Sequence, residues 1–190
     1  MASRKAQGFD IGVRIGGNTP IFPANRSELN VSHSYSVGVV AGVQCDYWFN
    51  TTLALTGQIL YVEKKVTVTF VFPGVSGASV PPRLTPSHSY TEFPLEVRIR
   101  FSSETSLRPY IYAGIAVGLS SSSDRVVSFS ADEPVYSSTT DLGLIGGVGL
   151  DYIFPSGSFL FLDGGFRGST TDNNSPINDL RFCVGILFPI

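Results

Sequence analysis

His33 and His88 are the only two histidines in the chain, and histidine is the side chain whose ordinary titration range suits proton transfer near neutral pH. The acids that could orient them, Asp124, Asp132, Glu133 and Asp172, lie in other polar stretches. A catalytic base needs a partner within hydrogen-bond reach and a group to activate. No spacing here supplies either, so the histidines read as solvated groups in or beside loops. Asp172-Asn173-Asn174 offers oxygen ligands of the kind calcium takes, but it is shorter and less acidic than a calcium loop and reads as a turn. Cys45 and Cys183 follow neither a CxxC nor a metal-ligand spacing. They fall on strands placed apart in the fold read below, so no disulfide is expected. The glycine cluster from Gly143 to Gly149 is no nucleotide loop, because no helix follows it. No catalytic residue, cofactor site or metal site is assigned.

Composition narrows the class. Of 190 residues, 43% are hydrophobic and 12% aromatic, while only 15% are charged, and 20 are glycine. Soluble domains carry nearer a quarter charged residues. The net charge of -2 lacks the basic excess of a nucleic-acid binder. No run of about 18 apolar residues exists, so no membrane-spanning helix is expected. Residues 1–7 are polar and without an apolar stretch, so they read as a disordered N-terminal segment and not as a signal peptide; that fits either an intracellular protein or one whose signal has been removed, and the strand pattern below favours the second.

The elements that must position any site have period two. From Phe93 to Phe101, Phe93, Leu95, Val97, Ile99 and Phe101 share one face, and Pro94, Glu96, Arg98 and Arg100 share the other. A strand sorts residues this way; a helix would scatter them. The same sorting recurs at Phe9 to Gly16, Val37 to Phe49, from Leu53 onward, Ile111 to Leu119, Leu142 to Phe154, Leu160 to Arg167 and Leu180 to Phe188. That makes eight strands. The links alternate. Asn50-Thr51, Ser102 to Arg108 and Pro155 to Gly157 are short, whereas Gly17 to Ser34, Pro73 to Ser87, Ser120 to Thr139 and Thr170 to Asn178 are long. Strict alternation gathers all long links at one end, the pattern of an up-and-down membrane barrel with short periplasmic turns and long external loops.

The contents of the two faces decide which is inside. A soluble lipocalin-like barrel keeps its apolar face in the lumen; a membrane barrel turns it to lipid. The bulky face carries no charge within the central spans. The other face combines glycine and small residues with five acids (Asp10, Asp46, Glu96, Asp151, Asp163) and five bases (Arg14, Arg98, Arg100, Arg167, Arg181). Charge together with glycine suits a crowded narrow lumen, so the apolar face points to lipid. Aromatics add a second sign. Phe9, Tyr47, Phe49, Phe101, Tyr152, Phe154 and Phe188 gather at the periplasmic rim, and Tyr61, Phe93, Phe166 and Phe182 toward the other, as expected of girdles at the headgroups.

The order of elements resembles the outer-membrane β-barrel family common in Bacteroidetes, the PorT-type barrel domain. The matching stretches are Gly42-Val43-Gln44 through Tyr61, Phe93 to Arg98, Arg108 to Gly114, Gly146 to Tyr152 and the last strand from Leu180 to Phe188. The resemblance implies the outer membrane of a Gram-negative bacterium, contact with its lipid, and no shared catalytic residues. Its members often end in an aromatic residue; this sequence ends Phe188-Pro189-Ile190.

The expectation is therefore an all-β fold, a single eight-stranded antiparallel transmembrane barrel across 1–190. It is a monomer and no enzyme, and it binds no nucleic acid. Its ten lumen charges form a packed network, since eight strands leave room only for side chains. Function then lies in structure, or in partner or surface binding through the external loops; a narrow transport channel and a soluble lipocalin-like binder are the alternatives. Beyond Tyr61, after Glu63, Lys64 and Lys65 at the headgroup level, alternation resumes through Val66, Val68, Phe70 and Phe72. A membrane strand needs only about 9–11 residues. This segment should rise past the bilayer beside His88 to Glu92 as a two-stranded ribbon. Val66, Val68, Phe70, Phe72 and Tyr90 are the candidate docking residues on it, and the competing reading is a lid folded over the barrel mouth.

Overall fold

A computed structural model describes residues 7–21, 31–70, 83–84, 87–101, 105–120, 140–170 and 178–190; the side chains described are those of 7–21, 37–64, 89–101, 105–119, 140–170 and 178–190. The strands are β1 (Gly8–Ile21), β2 (Val31–Ser36), β3 (Gly38–Trp48), β4 (Leu53–Phe70), β5 (Arg83–Leu84), β6 (Ser87–Arg100), β7 (Leu107–Ser120), β8 (Thr140–Ile153), β9 (Phe159–Ser169) and β10 (Asn178–Pro189). No helix among the described residues is long and apolar enough to cross a membrane.

All pairings are antiparallel. The sheet runs β3-β1-β10-β9-β8-β7-β6, and β4 pairs with both β3 and β6, so the sheet closes on itself. The eight spanning strands expected from period two are β1, β3, β4, β6, β7, β8, β9 and β10. The ends of the chain meet at the seam where β1 pairs β10, with Asp10 opposite Pro189 and Ile190 N–H donating to the Phe9 carbonyl at 2.9 Å. Closure removes the free edges that an open sheet would expose.

The short turns are built from local hydrogen bonds. Asn50 Oδ1 accepts from the backbone N–H of Thr52 and of Leu53, both at 2.8 Å. Gly157 takes φ 88°, a left-handed backbone that glycine adopts without steric cost, and closes the turn between β8 and β9 by donating to the Phe154 carbonyl at 3.0 Å.

Above the membrane spans the fold departs from expectation. The stretch Gly17 to Ser34 is not simply a loop, because β1 continues to Ile21 and β2 begins at Val31. Ser36 pairs Lys65 while Val40 pairs Val62, so residues 37–39 oppose only 63–64. One extra residue on one strand is a β-bulge, and β2 is the continuation of β3 beyond it. The upper half of β4 therefore has neighbours on both edges: β2 along Lys65 to Phe70, and β5 with the start of β6 on the other side. The expected two-stranded ribbon is instead a sheet extension with β4 in its centre. Phe72 lies outside the described residues, as do Asp124, Asp132, Glu133 and Asp172. His33 and His88 lie on β2 and β6, on the extension rather than in loops.

The two faces fall as their alternation requires. Val13, Ile15, Leu95, Ile115, Leu144, Val148 and Leu162 point outward and are exposed, whereas Asp10, Asp46, Arg98, Asp151 and Arg181 are buried inside. An exposed surface of this size and apolarity is stable only against lipid.

Candidate functional site

The lumen is where the chain concentrates its chemistry. Every residue of the expected network is buried there: Asp10, Arg14, Asp46, Glu96, Arg98, Arg100, Asp151, Asp163, Arg167 and Arg181. Four more charges join them, namely Lys64, Glu92, Asp141 and Asp179. The balance among the described residues is then eight acids to six bases, not five to five. Lys64 does not sit at the headgroups: its ammonium lies inside, 2.6 Å from Asp179. Glu92 and Tyr90, placed on the ribbon by sequence, also point inward, and Tyr90 packs with Val40, Leu60, Val62 and Cys183.

Two networks are stacked along the axis. At the periplasmic end, Trp48 Nε1 donates to Asp10 at 2.7 Å. The Arg100 guanidinium lies over the Trp48 ring, 3.6 Å from its centroid, and 4.7 Å from that of Phe159. Its Nε donates to Asp151 at 2.6 Å, and Arg98 makes a close ion pair with the other oxygen of the same carboxylate. Arg98 also reaches Asp46 at 3.2 Å and covers the Tyr110 ring at 3.6 Å. Asp46 accepts further bonds from Gln44 and Thr56, both at 2.9 Å. Higher up, Arg14 donates to Gln58 at 2.7 Å and to both oxygens of Asp163 at 2.9 and 3.2 Å. Tyr110 Oη donates to Asp163 at 3.2 Å. Stacking on aromatic faces and two-pronged pairing suit guanidinium better than ammonium, which accounts for arginine throughout this layer.

The external network is held by Glu92. It accepts from Arg181 at 2.7 and 3.0 Å and pairs with Arg167 Nε at 3.1 Å. Arg167 continues to Asp141 at 2.5 Å, and Arg181 to Asp179 at 2.5 Å. An apolar layer of Val40, Leu60, Val62, Tyr90 and Cys183 packs between the walls nearby.

Glycine makes room for these large groups. A Cβ on Gly149 would lie 2.2 Å from Tyr110 Cζ, and one on Gly165 would lie 2.1 Å from Tyr112 Oη. The cluster Gly143 to Gly149 thus clears space for tyrosine and arginine. Among the described residues no group of His, Cys, Asp and Glu is arranged to hold a metal. Cys45 faces outward on β3 and Cys183 inward on β10, with β1 between the two strands; both are free thiols.

A charged interior inside an apolar exterior is the arrangement of a membrane barrel, and the family comparison agrees. Residues 2–173 match the model of the outer membrane protein beta-barrel domain. The chain belongs to that family. It is a small barrel of the bacterial outer membrane, and the soluble lipocalin-like alternative is set aside: that fold would need the apolar face within. No curated protein matches the chain. Among solved structures it is similar to Neisserial surface protein A, NspA, at 14% identity and TM-score 0.62, covering 98% of this chain and 100% of that one. It is also similar to OprG from Pseudomonas aeruginosa, at 10% identity and TM-score 0.52, covering 97% and 94%. A third is AlkL, determined in lipid bilayers, at 13% identity and TM-score 0.50, covering 100% and 94%. At such identities the likeness concerns the fold.

Proposed function

We propose that this barrel is a monomeric, non-enzymatic outer-membrane protein whose lumen is plugged by its own side chains and which acts at its external end, by binding a partner or surface there. The observation that carries the reading is the periplasmic seal, where Arg100 lies between Trp48 and Phe159 and is tied to Asp151. An ion crossing the lumen would have to displace an arginine from two aromatic faces and from a carboxylate in a low-dielectric interior, where an unpaired charge is costly. The extension built from β2, the upper half of β4, β5 and the start of β6 offers the binding surface, with Val66, Val68 and Phe70 on its central strand. Planar-bilayer recording tests the plug. The expected result is no steady current from the purified barrel; a reproducible single-channel conductance would replace this reading with the channel.

A further inference from the structure

The lumen is not equally tight along its length. At the periplasmic end the side chains of Asp46 and Asp151 keep no accessible surface, and that of Arg100 keeps 1%. In the external network Glu92 and Arg167 keep 1% each. Between these layers the side chains of Arg14 and Asp163 each keep 6%, although both point into a closed barrel. Tyr112, Gln58 and Glu96 are buried in the lumen with similar small remainders, at 7%, 5% and 4%. Surface left open inside a wall that is tight above and below belongs to an internal chamber with room for a molecule of water's size.

The chamber is polar, and its groups are not all paired. Arg14 donates to Gln58 Oε1 and to Asp163, yet Arg14 Nε, Gln58 Nε2 and Glu96 Oε1 have no hydrogen-bond partner in the protein. The neighbouring acids are held: Asp10 by Trp48, Asp46 and Asp151 by Arg98, Asp163 by Arg14. Register brings Glu96 to the other two groups. Thr56 pairs Glu96, and Gln58 is the next lumen-facing residue on β4, so Gln58 and Glu96 are diagonal neighbours whose long side chains reach the same space. Arg14, bonded to Gln58, is the charge that acts most strongly on Glu96.

The chemistry of the three atoms selects the occupant. Two N–H donors and a guanidinium charge disfavour a metal cation, and a carboxylate oxygen disfavours an anion. An apolar molecule would leave all three atoms unpaired, at a cost for each. Water both donates and accepts, and a buried water makes about three hydrogen bonds. We propose that Arg14, Gln58 and Glu96 form an internal hydration site, in which water accepts from Arg14 Nε and Gln58 Nε2 and donates to Glu96 Oε1. The water then links β1, β4 and β6 at mid-depth. The site rests on the plugged-lumen reading in one respect: water enclosed between two tight layers exchanges slowly with bulk.

Water–protein NMR on the whole barrel in lipid nanodiscs tests it. The Gln58 side-chain amide protons should show a dipolar contact with water, with the sign of a long-lived bound molecule. Glu96→Gln keeps an acceptor and should keep the contact. Glu96→Leu removes the acceptor and should lose it, with the heat-dependent gel shift reporting that the barrel folds. An unaltered chain without any contact between Gln58 and water overturns the site, whether or not either variant folds. An undiminished contact in folded Glu96→Leu overturns it as well. So does a Gln58 signal that moves when sodium chloride is replaced by choline chloride, because the occupant is then a metal ion. A contact with the sign of freely exchanging water supports the site and overturns the plugged lumen instead.

Discussion

Arg181 on β10 grips Glu92 on β6 with both terminal guanidinium nitrogens, at 2.7 and 3.0 Å. In the closed sheet β10 and β6 are separated by β9, β8 and β7 on one side and by β1, β3 and β4 on the other. The pair therefore spans the barrel from wall to opposite wall and ties two strands that share no backbone hydrogen bond. Removing one partner leaves a buried charge uncompensated, which costs about 3–5 kcal/mol, whereas exchanging both for apolar groups of similar size is often neutral or better. Glu92→Leu and Arg181→Met should each lower the urea midpoint of the barrel in detergent micelles. The double variant should recover much of the loss. Additive losses would mean that the two residues act independently.

At the periplasmic end, Arg100→Ala removes the group that covers Trp48 and neutralises Asp151, and Arg98→Ala removes the bridge between Asp46 and Asp151. Each should destabilise the fold by about 3–5 kcal/mol, as expected when a buried ion pair is broken. Neither should open a pore, because the other arginine and Phe159 still fill the section. Denaturation in micelles and bilayer recording check the two halves separately; a stable, conducting Arg100→Ala barrel would contradict both.

Two glycines should behave in opposite ways. Gly149→Ala would put a methyl group 2.2 Å from Tyr110 Cζ, and overpacking of that kind costs about 1–3 kcal/mol. Gly57→Ala meets nothing within 4 Å. It relieves the strand-interior glycine penalty of roughly 0.5–1 kcal/mol. Folded and boiled samples of this barrel should differ in gel mobility, so the temperature at which the folded band disappears provides the assay. It should fall for Gly149→Ala and hold or rise for Gly57→Ala. The same preparations should be monodisperse only in detergent or lipid, given the exposed apolar exterior.

The wall and the lower lumen were legible because a strand with one face in lipid and the other in a packed lumen leaves a strict alternation. Asp46, Arg98 and Asp151 declare their side by their neighbours Tyr47, Val97 and Leu150. Lys64, Glu92, Asp141 and Asp179 were missed for one physical reason. The barrel interior continues above the span that a bilayer requires, yet they keep the phase of the buried positions below them: Lys64 follows Thr56, Gln58, Leu60 and Val62. Extending the phase past the expected headgroup level would have found them. The partner of upper β4 was hidden differently. Val31, His33 and Tyr35 do alternate with Ser32, Ser34 and Ser36, but the run is short and only weakly apolar, and the bulge at residues 37–39 shifts its register against the strand that follows.

The extension provides the last test. Lys65 pairs Ser87 directly, so replacing residues 66–86 by a two-residue turn joins strands that are already adjacent. The paired segment from Leu53 to Lys64 remains, and it is longer than the 9–11 residues a membrane strand needs. β2 keeps no more than the Ser36–Lys65 rung, because among the described residues Val31 to Ser36 pair with Lys65 to Phe70. The barrel below should still fold and keep its heat-dependent gel shift, since its closure runs through β3, β4 and β6 within the span. What the extension does then separates two outcomes. If it is the binding surface, a protein that co-purifies with the full barrel from native envelopes should be lost with the deletion and retained when residues 121–139 are shortened instead. If both variants keep the partner, docking on the extension is wrong, and β2, upper β4 and β5 serve to cover the barrel mouth.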